Sequence, residues 1–275
     1  MAKIIFKPQK KLGQNFLFNN EYLKKIVNAC QINDKSKIIE IGPGYGSLSK
    51  LLGACSSNSV ISIEKDKKLF DWLIDNMTGH NVNFVLNDAT TINWNEFLKN
   101  NNLFGKGDEV IVVGNLPYNI SNEVILKLIN FRKLFKRFVF LVQKEVAQRW
   151  VANPNYFKHK YSNFSILVNY FCKSFFLFEV PKKLFYPVPK VDGALVVLEI
   201  KDNFPGDLNE QLFLNFTKNC FRFRRKTLSN NLKSLWMKND KIEEIFDSLN
   251  LSRTIRPQDL SIENYLTLFN KIYDK

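Results

Sequence analysis

At 275 residues with 45% hydrophobic content, the chain can bury a large core, as one domain or as a catalytic domain with a smaller companion. Its 40 basic against 26 acidic residues leave a net charge of +14, which favours a polyanionic partner, although solvated lysine faces add to the same count. Two histidines and four scattered cysteines without Cys-x-x-Cys spacing exclude a multi-histidine metal centre and argue against a zinc site or a disulfide framework.

In chain order, Leu23, Ile26, Val27 and Cys30 recur at helical spacing from Asn20, predicting an amphipathic helix. Ile38-Ile39-Glu40-Ile41 reads as a short buried strand running into a glycine-rich turn. A helix is expected from about Ser47 and a second strand at Val60-Ile61-Ser62-Ile63. Helix Lys67–Asn76, strand Val82–Leu86, strand 110–113, helix 122–130 and strand 138–142 continue the alternation. Strands alternating with helices predict a parallel, doubly wound α/β sheet. Further strands are expected at 164–171 and 194–200, with the proline-punctuated segment 180–189 between them too broken for regular structure. After Asn203-Phe204-Pro205-Gly206, segments from about Leu208, Lys226, Lys241 and Leu260 carry helical spacing with no clear strand. The expected organisation is an α/β domain over 1–203 and a small all-helical domain over 204–275. The basic amino terminus lacks a signal-peptide core and no stretch reaches the length of a membrane span, so a soluble cytoplasmic protein is expected.

The turn after the first sheet strand is Gly42-Pro43-Gly44-Tyr45-Gly46, where glycines allow a tight turn and close approach of a ligand to the main chain. Glu64 ends the next strand, where a carboxylate can accept from both ribose hydroxyls of an adenosine. Dinucleotide sites usually read Gly-x-Gly-x-x-Gly and hold pyrophosphate at a helix N-terminus. Here the spacing is Gly-x-Gly-x-Gly, and Glu40 just before it would repel pyrophosphate. S-adenosylmethionine, cationic at its amine and its sulfonium, fits that charge better. Asp88, closing the third strand, is placed to accept from the cofactor's adenine amino group, though a helix-cap role explains it equally well.

At the end of the fourth strand comes Gly114-Asn115-Leu116-Pro117-Tyr118-Asn119. In an open parallel sheet this position faces the ligand crevice. The lone pair of adenine N6 is delocalised into the ring and is a poor nucleophile. Two acceptors on its hydrogens, the Asn115 side-chain oxygen and the Leu116 carbonyl, would localise that pair most strongly in the transition state. Pro117 stiffens the turn, and Tyr118 offers a face for an extruded base. A cytosine C5 methylase would need a cysteine here, and the motif has none. The bland alternative is a plain β-turn, since Asn-x-Pro is common in turns.

Several motifs resemble those of the ribosomal small-subunit RNA adenine dimethyltransferases. They are Gln14-Asn15-Phe16-Leu17, Glu40-Ile41-Gly42-Pro43-Gly44, Asn115-Leu116-Pro117-Tyr118-Asn119-Ile120-Ser121 and Gln143-Lys144-Glu145-Val146-Ala147. Phe185-Tyr186-Pro187-Val188-Pro189-Lys190-Val191-Asp192, Phe223-Arg224-Arg225-Lys226-Thr227-Leu228, Arg256-Pro257 and Leu260-Ser261 extend the likeness over nearly the whole chain. The resemblance implies a Rossmann-like S-adenosylmethionine methyltransferase sheet with a small helical C-terminal domain. It implies two methyl groups placed on each of two adjacent adenosines near the 3′ end of small-subunit rRNA, on an immature small ribosomal subunit late in assembly. Carried over, Asn15, Leu17, Gly42, Gly44, Glu64, Asp88 and Asn115 match cofactor-binding positions. Asn115, Leu116, Pro117 and Tyr118 match the adenine-handling motif, and Phe185 matches an aromatic stacking on the base's other face. Among 25 phenylalanines, Phe185 also reads as core packing. The chain departs from the family at Tyr161-Ser162-Asn163-Phe164-Ser165 and at Gly193, where serine commonly follows Lys-Val-Asp.

Basic clusters at 7–11, 132–137, 182–183 and 222–226 are expected to steer and dock RNA, with Phe221 and Phe223 anchoring the helical domain. Two rival readings stay open at this point. One is a resistance-type methylase of large-subunit rRNA; the other is a non-catalytic assembly checkpoint.

Overall fold

The computed structural model describes residues 8–103, 105, 107–117, 119–202, 209–233 and 239–273. The elements run β1 (Phe16–Leu17), α1 (Asn20–Cys30), β2 (Ser36–Ile41), α2 (Ser47–Cys55), β3 (Val60–Glu64), α3 (Lys67–Asn76), β4 (Val82–Leu86) and α4 (Trp94–Asn100). They continue as β5 (Glu109–Asn115), α5 (Ser121–Asn130), β6 (Arg137–Gln143), α6 (Lys144–Val151), α7 (Asn163–Phe171), β7 (Cys172–Val180), β8 (Phe185–Tyr186) and β9 (Gly193–Ile200). Then follow α8 (Glu210–Cys220), α9 (Leu228–Lys233), α10 (Asn239–Ser248) and α11 (Ile262–Tyr273).

Seven strands form one sheet in the order β4-β3-β2-β5-β6-β9-β7. The pairs β2/β3, β3/β4, β2/β5 and β5/β6 are parallel, and β9 lies antiparallel to β6. Every residue of β3, and all of β2 but Lys37, is buried, as expected of parallel strands covered on both faces. From β2 the chain steps outward through β3 to β4, then returns to β5 on the other side of β2. The direction of winding therefore reverses between β2 and β5, and the carboxyl ends of those strands open a crevice. Local chemistry starts the helices around it: the Asn19 side chain caps α1 by accepting from Tyr22 N–H, and Asp66 caps α3 by accepting from Lys68 N–H.

The segment 164–171, expected as a strand, is the helix α7. It is rich in β-branched and aromatic residues, interrupted by Ser165 and Asn169, and such a short, mostly apolar run suits a buried helix as well as a strand. Tertiary packing decides: Ile166, Val168, Tyr170 and Phe171 are all buried. Ser165 accepts the Ser162 N–H at 3.1 Å and donates to the Arg149 carbonyl at 2.6 Å, tying the first turn. The strand comes directly afterwards as β7. Within 180–189, expected as irregular, Phe185 and Tyr186 pair antiparallel with Leu17 and Phe16 as the two-stranded sheet β1–β8.

The chain divides into two compact units. One holds the described residues up to Ala147 together with Phe175–Ile200; the other holds Gln148–Ser174 and the described residues from Lys201 on. The expected junction at 203/204 lies outside the described residues. The first unit has its main core on one sheet face, where Leu23, Ile26 and Val27 of α1 pack with Ile38, Ile111, Val113, Val139 and Leu195. In the second, Phe213, Phe216 and Phe269 pack around Tyr170 and Tyr265, with edge-on rings 5.4 Å apart between Phe213 and Phe269. No described helix is long and apolar enough to cross a membrane.

Candidate active site

In the first unit a pocket opens at the carboxyl ends of β2, β3 and β5, with about 1220 Å³ of atom-free space, its open mouth included. The predicted residues Asn15, Leu17, Gly42, Gly44, Glu64, Asp88, Asn115, Leu116 and Pro117 all line it. The turn after β2 requires glycine: Gly42, Gly44 and Gly46 have φ of 73°, 58° and 72°, in the left-handed region that side chains disfavour.

Two buried carboxylates face this turn. Glu40 is 1% exposed, and the hydroxyls of Ser49 and Ser62 both donate to its Oε2 at 2.6 Å. Glu64 accepts the Asp66 N–H at 2.8 Å and the Gly44 N–H at 3.3 Å. A carboxylate has about four acceptor sites, so Glu64 keeps capacity for hydroxyl donors. Burial pushes both groups up to about 7, against the opposing hydrogen bonds. Two acids held on the edge of ionisation suit a ligand that brings hydroxyls and positive charge, and oppose one that brings pyrophosphate.

Asp88 is engaged on both oxygens. Lys65 Nζ lies 2.6 Å from Oδ2, while the Thr90 N–H and hydroxyl donate to Oδ1 at 3.0 and 2.8 Å. Partial burial works against its charge, but Lys65 and the Thr90 donors outweigh it and hold the carboxyl below its ordinary value. Asp88 thus closes a turn and lines the pocket, but caps no helix, since α4 begins only at Trp94 with Asn93 at its N-cap.

Asn115 ends β5, and its Nδ2 donates to the Asn15 carbonyl at 2.7 Å. The Leu116 N–H donates to the Leu141 carbonyl at 3.0 Å, continuing the β5–β6 ladder into the turn. Pro117 accepts the Ile120 N–H at 3.2 Å, closing that turn, and Tyr118 lies outside the described residues.

Phe185 is not among the residues that line the pocket. It is 3% exposed, pairs with Leu17 across the β1–β8 ladder, and belongs to the apolar core with Leu141 and Leu195 rather than to the pocket wall. What it does is anchor β1, and through β1 the neighbouring Asn15. A Cβ on Gly193 would lie 3.1 Å from Phe185 Cζ, so glycine at that position leaves room for the ring.

Several wall residues escaped the sequence reading. Phe16, Tyr45 and Leu69 form a small apolar cluster on the pocket side, with the Phe16 and Tyr45 rings edge-on at 4.8 Å. Ser62 did leave a trace, because a lone hydroxyl in the apolar run of β3 needs a buried partner, and Glu40 is that partner. In the second unit Phe221 packs edge-on against Tyr161 at 5.7 Å, as an anchor. Phe223 does not: it is 42% exposed, with Arg222 and Lys226 over its ring at 5.4 and 4.9 Å. Of the basic cluster 7–11, Lys7 lies outside the described residues.

Comparison with known proteins agrees with this geometry. Residues 5–274 match the family described as ribosomal RNA adenine dimethylase. A Mesoplasma florum protein named ribosomal RNA small subunit methyltransferase A is 34% identical over 265 residues, covering 96% of this chain and 97% of that protein. Among solved structures, a dimethyladenosine transferase from Plasmodium falciparum superposes with a TM-score of 0.76 at 28% identity, covering 93% of this chain and 98% of that one. The 23S rRNA methyltransferase ErmE gives 0.71 at 21% identity, over 93% of this chain and 98% of its own, and shows a shared fold. With an α/β sheet of this topology, a crevice of this chemistry and a family match from end to end, the chain belongs to the ribosomal RNA adenine dimethylases.

Proposed function

We propose that this methyltransferase uses S-adenosylmethionine to dimethylate N6 of two adjacent adenosines near the 3′ end of small-subunit rRNA, acting in the cytoplasm on an immature small subunit. Membership of the adenine dimethylase family supports the reaction class. The observation that carries the chemistry is the orientation of Asn115 on the wall of a pocket that also contains Glu40 and Glu64. When bound, S-adenosylmethionine supplies an electrophilic methyl group on a positively charged sulfur.

The chain's own residues supply the rest. Glu64 has acceptor capacity for ribose hydroxyls, and Glu40 with Glu64 gives the pocket the negative potential that a cation requires. The glycines of the turn let a ligand approach the main chain, and Asn15, Leu17 and Asp88 complete its wall. Asn115 Oδ1 and the Leu116 carbonyl accept from the amino group of the target adenine, drawing its lone pair out of the ring as nitrogen becomes tetrahedral. Pro117 keeps these two acceptors in register, and the one N–H left on a once-methylated amine still finds one of them. Positive charge gathers on nitrogen during attack and the proton leaves afterwards, so these acceptors act most strongly at the transition state.

The test offers radiolabelled donor to purified small and large ribosomal subunits separately and maps the labelled nucleotides. Label confined to two adjacent adenosines of the small-subunit rRNA is the expected result. Label on the large subunit would instead identify a resistance-type methylase, and binding to small subunits without label an assembly checkpoint.

A further inference from the structure

The segment 9–15 bridges the two sides of the crevice. On one side the Nε2 groups of Gln9 and Gln14 both donate to Asp66 Oδ2 at 2.8 Å, at the N-cap of α3. On the other it meets the turn after β5 three times. Asn119 Nδ2 reaches the Lys11 carbonyl at 3.5 Å, Gly13 lies against Pro117 and Asn119, and Asn115 Nδ2 donates to the Asn15 carbonyl at 2.7 Å. The Asn15 side chain folds back to donate to the Gly13 carbonyl at 3.1 Å.

An amide side chain has one donor end and one acceptor end, and the two exchange places by a flip about its last bond. A backbone carbonyl only accepts. The Asn15 carbonyl therefore selects Nδ2 of Asn115 for its own side and leaves Oδ1 on the other branch, the end a reacting amine needs. Gly13 is what allows this approach. Its φ is +63°, and a Cβ there would stand 2.7 Å from Asn119 Oδ1 and 3.3 Å from Pro117 Cβ.

We propose that Gly13 is a positioning residue for methyl transfer: by letting the segment close on the 115–119 turn, it sets the Asn115 amide with its acceptor toward the substrate. The proposal rests on the assignment of Asn115 to the adenine amine. Because Asn15 also lines the pocket, the segment links the donor side of the site to the acceptor side.

The test compares wild type with Gly13→Ala for single-turnover methylation of unmethylated small subunits, donor and RNA affinity, and the Asn115 side-chain amide in a ¹H–¹⁵N spectrum. The expected outcome is a ten- to hundredfold fall in turnover, affinities within threefold, and loss of the downfield, slowly exchanging Asn115 amide proton. Adding Asn119→Ala to Gly13→Ala removes the nearest obstructing atom and is expected to restore part of the rate. Unchanged turnover, or a loss lying wholly in donor affinity, would overturn the proposal. Should Gly13→Ala fail to fold, the wild-type spectrum decides: a fast-exchanging Asn115 amide overturns it and a protected one upholds it. A wild type that transfers no methyl group would refute the adenine assignment instead.

Discussion

Glu40 and Glu64 show how burial gives ordinary carboxyls a function. Each is lifted from 4.5 to about 7, chiefly by loss of water, while hydroxyl and amide donors oppose the shift. Both hold a proton more tightly when folded than in an open chain. Between about 4.5 and 7 the native state therefore binds more protons than the unfolded one, and ligand-free stability falls as pH rises through that window. Donor binding should run the other way, tightening as pH rises through 7, because only the ionised forms attract a cation and accept fully from ribose. Calorimetric titration between pH 6 and 8 checks this, and a flat profile would contradict it. These two acids were legible because Glu40 stands two residues before the glycine turn and Glu64 ends the neighbouring strand. The Asn15–Asn115 contact was not legible, for its partners lie 100 residues apart and one of them is a backbone carbonyl that leaves no trace in composition.

Secondary structure was readable along α1, where apolar residues keep a helical period, and along β2 to β6, where short apolar runs are bounded by turn residues. It failed at α7, where a short, mostly apolar segment fits a strand as well as a helix, and at β1 and β8, each two residues long and stable only through its partner. β8 left no periodic signal because it is a two-residue strand inside a proline-rich loop, made only by its ladder to Phe16 and Leu17. The start of α7 depends on Ser165, whose buried hydroxyl donates to the Arg149 carbonyl, accepts the Ser162 N–H and lies 3.3 Å from the Ser162 hydroxyl. Ser165→Ala should lower stability by about 1 to 3 kcal/mol, since it strands the Arg149 carbonyl and frees the Ser162 N–H. Chemical denaturation measures this, and a change near zero would show that neither bond holds the helix in place.

At the scale of the whole molecule, the excess of 14 positive charges predicts that contacts to the phosphate backbone dominate RNA engagement. Neutralising phosphates releases counterions, so affinity for small subunits should fall steeply with salt. Six phosphate contacts would cost about a thousandfold between 50 and 200 mM. A salt-independent affinity would argue that shape rather than backbone charge governs docking. Charge alone left the class of partner undecided, whereas ordered motifs along nearly the whole chain identified the family, which matches from residue 5 to residue 274. The central claim is that Asn115 and Leu116, beside a donor pocket, activate the N6 amine of adenine. Single-turnover transfer of labelled methyl to unmethylated small subunits by wild type and Asn115→Ala, with RNA affinity measured alongside, tests it most directly. The expected result is label recovered as N6,N6-dimethyladenosine, with the variant slower by about a hundred- to a thousandfold at unchanged RNA affinity. Equal rates for the two proteins, or label on any other atom, would contradict it.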